Sequence, residues 1–124
     1  GDRHRRGDVF AFVGVGEVGS TSTLVEIDFL SDEAMHRLQA SGAVGEMLMR
    51  FFDADGQPII TDTNERIIGL TWQGLSNIPN VVLMACGGHK ITAIIGALRS
   101  GIPQTLITDI ETATALLQQI QNER

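Results

Sequence analysis

The sequence predicts an α/β domain built on a parallel sheet, and the second half of the chain carries the evidence. An apolar run over residues 80–86 is typical of a buried strand, and a helix is predicted over residues 89–99. A second strand, over residues 104–107, leads into a final helix on which apolar residues recur at helical spacing. Strand, helix, strand and helix joined by short connections form a right-handed βαβ unit, and such units build parallel sheets.

The first third of the chain predicts a strand, a loop and a helix. Residues 9–13 form a short apolar run, which indicates a buried strand, and residues 14–22 are rich in glycine and hydroxyl side chains, which indicates a flexible loop. Ser31 is a suitable N-cap for a helix over residues 32–39, because two acidic residues follow it in the first turn. Ser-Gly at residues 41–42 ends that helix.

The middle of the chain is more ambiguous. Side chains alternate through residues 43–53, and this favours one strand over a helix. The other short elements predicted here are a turn at 53–56, extended pieces at 58–60 and 66–69, and a helix over 71–75 that ends at 77–79.

Three loops are predicted to meet at the carboxyl edge of the sheet, where open α/β sheets bind ligands. They follow Val13, Cys86 and Ile107. Residues 108–111 (Thr-Asp-Ile-Glu) fit a capping box for the final helix. The apolar face predicted for that helix comprises Ala113, Leu116, Leu117 and Ile120.

Composition and charge narrow the function classes. The chain has 124 residues, 43% of them hydrophobic, which is enough for the core of one domain. The formal net charge is −6, and three of the arginines lie within residues 3–6, so no basic face for nucleic acid is expected. The single cysteine, Cys86, excludes an intrachain disulfide and a cysteine metal cluster.

Targeting patterns are not evident. No apolar run approaches the roughly 20 residues of a membrane helix, and no signal-peptide pattern is present. We therefore expect a cytoplasmic protein. Residues 1–7 are expected to be a linker or a tag remnant, and residues 8–124 to be the domain.

The only lysine of the chain lies in its most informative segment. The strand at 80–86 runs into Gly87 and Gly88, and Lys90 follows at the start of a predicted helix. Backbone N–H groups at a helix N-terminus and a nearby ammonium favour an anion such as phosphate. This segment alone leaves a second interpretation open, an ordinary tight turn with a solvent-facing lysine.

A glycine pattern also follows the first strand. Gly14, Gly16 and Gly19 match the dinucleotide fingerprint, but residues 19–23 are poor helix formers, so a dinucleotide site is disfavoured. A ligand-lining loop and a structural turn remain as alternatives.

Glu46 is the acidic residue of interest. It stands at the start of an apolar strand, where burial without a partner would be costly. It could accept hydrogen bonds from ligand hydroxyls, or it could be a solvated carboxylate at the rim of the site. His36 and His89 have no companion at metal-ligand spacing, so no metal or other cofactor is expected.

Six motifs occur together along the chain: Gly14-Val-Gly16 with its Ser/Thr loop, Gly42-Ala-Val-Gly-Glu46, Phe51-Phe-Asp53-x-x-Gly56, Ala85-x-Gly87-Gly88-x-Lys90-x-x-Ala93-Ile94, Ala97-Leu98-Arg99-x-Gly101 and Leu106-Ile-Thr108-Asp109-x-x-Thr112-Ala113. Each motif is weak singly, but the ordered set is specific. From about residue 8 to residue 117 the chain resembles the C-terminal part of the effector-binding domain of SorC/DeoR-type bacterial transcriptional regulators.

The resemblance implies a Rossmann-like fold similar to ribose-phosphate isomerases and glucosamine-phosphate deaminases. It also implies a phosphorylated sugar effector, an oligomeric repressor or activator, and DNA binding through a helix-turn-helix domain outside these residues. By the same resemblance Glu46 would bind effector hydroxyls and Lys90 the phosphate, while Gly14 and Gly16 would line the site with the Gly87-Gly88 turn. The family's first half of the effector domain is also outside these residues, so the pocket could be incomplete and self-association is expected.

Three function classes follow. A ligand sensor without catalytic activity is preferred, because Glu46 and Lys90 could supply one base and one electrostatic stabiliser but the sequence offers no convincing second acid–base pair. A sugar-phosphate isomerase or deaminase is the alternative, and a structural or assembly module with a vestigial pocket is a third option.

Overall fold

The structure, a computed structural model, describes residues 10–19, 31–60 and 71–123. The predictions for residues 1–7, for the hydroxyl-rich end of the 14–22 loop and for the extended piece at 66–69 lie outside these ranges. The strands are β1 (Phe10–Val13), β2 (Gly16–Glu17), β3 (Ala43–Met47), β4 (Arg50–Asp53), β5 (Asn80–Met84) and β6 (Thr105–Ile107). The helices are α1 (Asp32–Ala40), α2 (Trp72–Ser76), α3 (Ile91–Arg99) and α4 (Ile110–Asn122), with a 3-10 turn at Gly88–Lys90.

The predicted parallel sheet is confirmed. Its strand order is β1-β5-β6, with Phe10 opposite Asn80 and Val82 opposite Thr105. Strand β5 ends two residues earlier than predicted, although the amide of Ala85 still donates to the carbonyl of Ile107 at 3.1 Å. The carboxyl ends of all three strands therefore lie side by side, as the predicted site requires.

A second, antiparallel sheet was not predicted. Its order is β2-β3-β4. The prediction of one strand over residues 43–53 is wrong, because the chain reverses at Leu48 and Met49 to form a hairpin. The prediction of a loop after Val13 is also wrong in part, because Gly16 and Glu17 pair with β3. A turn made of two apolar residues and a strand of two residues carry no local sequence pattern.

Helix ends follow local capping chemistry. The Ser31 hydroxyl accepts a hydrogen bond from the Ala34 amide at 3.1 Å, which confirms the predicted start of α1. The predicted capping box before α4 is wrong: the N-cap is Asp109, whose carboxylate accepts from the Thr112 amide at 2.8 Å. Thr108 lies one residue too early to cap.

Helix α3 joins the two sheets through the main core. Its buried residues Ala93 and Ile94 belong to the same apolar cluster as Val81 and Leu83 of β5. Gly45 of β3 allows close approach, since a Cβ there would stand 2.8 Å from the Cβ of Ala93. A smaller cluster of Met35, Leu38, Ala43 and Phe51 packs α1 against the hairpin. The hairpin is thereby held next to the carboxyl edge of the parallel sheet.

One face of the parallel sheet stays exposed. Strand alternation and register place Phe10, Phe12, Met84 and Ile107 on that face, and Phe12 is 63% exposed. We call these four residues the open sheet face. Parallel sheets are normally covered on both faces, so this face lacks a layer among the residues the structure describes.

Helix α4 buries less than its spacing predicts. Leu116 is buried against α3, but Leu117 is 61% exposed and Ile120 is also exposed. The prediction that these two face the core is wrong, because α4 packs on the rest of the fold along one side only. No helix within the described ranges is long and apolar enough to cross a membrane.

Candidate ligand-binding site

A cavity of about 490 Å³ opens at the carboxyl ends of β5 and β6. This volume lies within the usual range for small-molecule pockets. Its lining is formed by Met84, Ala85, Cys86, Lys90, Ile107, Thr108 and Asp109. Gly14, after β1, borders the same edge, because a Cβ at Gly14 would stand 3.9 Å from the carbonyl oxygen of Met84.

Lys90 supplies the positive charge of the cavity. Its backbone amide closes the 3-10 turn by donating to the Gly87 carbonyl at 3.0 Å. Its half-buried side chain lines the cavity, and its ammonium makes no hydrogen bond or ion pair with any other described residue. A cation in a cavity that has no partner among the described residues favours an anionic group from outside the chain.

The Gly87-Gly88 turn shapes this end of the cavity. Gly87 has φ of 116°, a conformation that glycine adopts readily. A Cβ there would also stand 2.8 Å from Cε1 of His89. The Gly87 amide donates to the Thr112 hydroxyl at 2.9 Å, so it is occupied within the chain. Gly88 is exposed and has open space around it.

Asp109 brings a carboxylate to the lining of the same cavity as Lys90. Hydrogen bonds from the hydroxyl and then from the amide of Thr112 lower its pKa, with a smaller contribution from the Cys86 thiol. Asp109 is therefore ionised at neutral pH. The Thr112 hydroxyl accepts from Gly87 and donates to Asp109, so it ties the Gly87 turn to the start of α4.

Glu46 lies on β3, opposite Gly16 of β2, and is not part of the cavity lining. Burial raises the pKa of Glu46, while a hydrogen bond from the Met49 amide at 2.9 Å and the charge of Lys90 act in the opposite direction. A Cβ at Gly16 would stand only 2.2 Å from Oε1 of Glu46. Glycine at position 16 therefore leaves the space that the carboxylate occupies.

The predicted residues fall into two adjoining groups. Lys90 lines the cavity, and Gly14 borders its edge. Glu46 and Gly16 form the second group, in which the charge of Lys90 acts to lower the pKa of Glu46. The 3-10 turn that carries Lys90 contacts β2, which brings the two groups together.

Other residues were missed as candidates. Sequence patterns favour helix capping over a pocket-facing role for Asp109 and strand-end packing over reactivity for Cys86, and Thr108 and Thr112 carry no site prediction. The Thr-Asp-x-x-Thr pattern at 108–112, directly after a predicted strand, was the available clue. The Thr108 hydroxyl is buried and has no hydrogen-bond partner within the described part of the chain.

The dinucleotide alternative for the site loses support. Gly16 is in a strand, so the glycine pattern over residues 14–19 is not a strand-to-helix turn and does not have the geometry of a dinucleotide loop. In the parts of the chain that the structure describes, no three His, Cys, Asp or Glu residues come together as a metal site.

The fold and this edge define a class: an open α/β domain that binds a small molecule at the carboxyl ends of its parallel strands.

Residues 3–118 match the family model described as "Putative sugar-binding domain". The chain superposes on a DeoR family transcriptional regulator from Listeria monocytogenes with a TM-score of 0.82 and 34% identity, covering 86% of this chain and 43% of that one.

Two further relatives are also transcriptional regulators of this type. The full-length sorbitol operon regulator SorC from Klebsiella pneumoniae superposes with a TM-score of 0.78 and 27% identity over 87% of this chain and 35% of its own. The deoxyribonucleoside regulator of Bacillus subtilis (strain 168) is 34% identical over 106 residues, which are 86% of this chain and 34% of the relative. The chain belongs to the sugar-binding domain family of SorC/DeoR-type transcriptional regulators, and it spans well under half of the length of these relatives.

Proposed function

We propose that this chain is the ligand-sensing part of a SorC-family transcriptional regulator and that its effector is a phosphorylated sugar. The observation that carries the proposal is the Lys90 ammonium, which lines the cavity without a partner among the described residues. A phosphate group would pair with this ammonium as its negatively charged partner. Sugar hydroxyls would donate hydrogen bonds to the carboxylates of Asp109 and Glu46.

Each predicted site residue has a role in this proposal. Lys90 binds the phosphate, and Glu46 accepts hydrogen bonds from hydroxyl groups. Gly14 and Gly16 keep the strand ends free of side chains, and the Gly87-Gly88 turn shapes the phosphate end.

The regulatory part of the proposal concerns the assembly. Residues 8–124 would be the C-terminal part of the effector domain, residues 1–7 a linker or tag remnant, and DNA would be bound by a domain outside this chain. The open sheet face supports association with further protein, because it exposes two phenylalanines on one strand. Effector binding would favour one arrangement of a homo-oligomer in the cytoplasm and would thereby change the affinity of the regulator for DNA.

A sugar-phosphate isomerase or deaminase is the second candidate. Such an enzyme needs a general base on the substrate carbon and an acid for ring opening. Glu46 is the half-buried carboxylate that could act as a base, and Asp109 is ionised and therefore a poor acid. The named relatives are transcriptional regulators, so we propose a sensor without turnover. Conversion of ribose 5-phosphate or glucosamine 6-phosphate by the protein would reverse this choice.

The test is a thermal-shift screen of sugar phosphates against their unphosphorylated sugars, for example ribose 5-phosphate with ribose and glucose 6-phosphate with glucose. It is run on this chain and on the full-length regulator that the proposal implies. A shift by one sugar phosphate in both proteins supports a working pocket in these residues. A shift in the longer protein alone assigns essential contacts to its other half, and no shift in either overturns the effector proposal.

Two variants sharpen the screen. Lys90→Ala should remove the shift, whereas Arg37→Ala removes a positive charge from α1, where that arginine pairs with Glu33 away from the cavity, and should leave it unchanged. The free thiol of Cys86 offers a second readout, because it lines the cavity and a bound ligand should slow its alkylation by iodoacetamide.

A further inference from the structure

The turn between β3 and β4 is built from residues that disfavour its conformation. Leu48 and Met49 have φ of 50° and 66°, and they are the non-glycine residues with positive φ among those described. Two-residue hairpin turns of this kind normally use Asn-Gly or Asp-Gly. Strained backbone of this kind persists only where the surrounding structure holds it, and it is common at functional sites.

One contact links this turn to the candidate site. The amide of Met49 donates to Oε2 of Glu46 at 2.9 Å, and the other oxygen, Oε1, lies over the backbone of Gly16. The carboxylate is therefore held between the turn on one side and β2 on the other. The Met49 side chain packs against the smaller apolar cluster between α1 and the hairpin, and this contact anchors the turn.

We propose that the backbone amide of Met49 is a positioning group, which the strained turn presents in order to hold the Glu46 carboxylate ionised and oriented beside Lys90. This rests on the proposed function, in which that carboxylate receives effector hydroxyls. A buried carboxylate tends to take up a proton and then becomes a donor. A hydrogen bond from a fixed amide stabilises the ionised form and limits rotation of the side chain.

The charged surroundings of Glu46 are simple enough to test. Lys90 is the charged group of the described chain that acts on it. Glu17 and Arg50 lie one position away from the residues opposite Glu46, so strand alternation turns them to the other face of the sheet.

The experiment is a pH titration followed by NMR, and it needs no ligand. In the native chain the Met49 amide proton should shift with the same midpoint as the Glu46 carboxyl carbon, and the shift should vanish in Glu46→Gln. A Met49 amide that does not follow the Glu46 titration overturns the proposal, even if no turn variant folds.

Two turn variants add a functional readout. Replacing Met49 by the corresponding α-hydroxy acid, through chemical ligation, turns the Leu48–Met49 amide into an ester. This removes the donor without fixing φ, whereas proline at position 49 would force φ away from its 66°. The titration midpoint of Glu46 should rise, and binding of the sugar phosphate found in the screen should weaken about tenfold or more. Leu48→Asn is the matched control, because it keeps the Met49 amide and suits positive φ, and it should leave both quantities unchanged. Native binding strength in a folded chain that carries the ester at position 49 would contradict the proposal. Coupled titration, without binding of any sugar phosphate by this chain or by the full-length regulator, would instead support the positioning role and overturn the proposed function.

Discussion

Replacing Gly16 by alanine should destabilise the protein through the Glu46 carboxylate. The new Cβ would stand 2.2 Å from Oε1, whereas ordinary contacts begin at 3.4 Å, so the carboxylate has to move by about 1 Å. A movement of that size breaks its 2.9 Å hydrogen bond with the Met49 amide. Hydrogen bonds to charged groups contribute about 1.5–3 kcal/mol, so the free energy of unfolding should fall by about 2 kcal/mol.

Urea denaturation measures this change, with an unchanged m value showing that only stability was altered. Gly14→Ala is the matched control, because its Cβ meets nothing closer than 3.9 Å, and its effect should stay within about 0.5 kcal/mol. The same Gly16→Ala change in a Glu46→Ala background should cost little, since the clashing group is gone. An equal cost with and without the Glu46 side chain would refute the reasoning.

Three further predictions concern charged groups of the site. Lys90→Ala should weaken binding of the sugar phosphate by roughly 1–3 kcal/mol in calorimetry and leave the parent sugar unaffected; equal losses for both ligands would remove Lys90 from the phosphate contact. Because burial raises the pKa of Glu46 in the folded state above its unfolded value, its contribution to stability is greatest below the unfolded pKa and is lost as pH rises through the folded pKa. Glu46→Gln should therefore stabilise the protein increasingly from acid to neutral pH in urea titrations, and a constant difference would contradict this. The pKa of Asp109 is lowered in the folded state, so its contribution to stability is present above the unfolded pKa and is lost as pH falls through the folded pKa. Asp109→Ala should therefore lower the urea midpoint of unfolding at pH 7. The decrease should be larger than for Asp109→Asn, whose side-chain oxygen still accepts a hydrogen bond from the Thr112 amide.

Elements with local causes were predictable. The Ser31 hydroxyl caps α1 through a group three residues away, and Gly42 ends that helix with φ of 94°. The apolar run before Gly87 and the helix after Lys90 appear almost where they were expected. Interactions over three or four residues depend on neighbours in the chain, so the sequence shows them directly.

Elements with distant causes were not predictable. Gly16 and Glu17 form a strand only because β3, about 30 residues later, offers them hydrogen-bond partners. The hairpin turn at Leu48 and Met49 has apolar residues and positive φ, so its sequence pattern resembles that of a continuous strand. The exposure of Leu117 depends on which side of α4 meets α3, and helical spacing alone does not give that information.

The sequence by itself determined a parallel α/β core, with a glycine turn and a lone lysine at the carboxyl end of one strand, because local periodicity and turn chemistry encode such features. Only the tertiary structure decided what surrounds that lysine. It placed Asp109 in the cavity that Lys90 lines, and it brought Glu46, which lies over Gly16, within range of the Lys90 charge. The physical reason is that the register of the strands and the packing of α3 across both sheets bring together groups that are far apart in the chain.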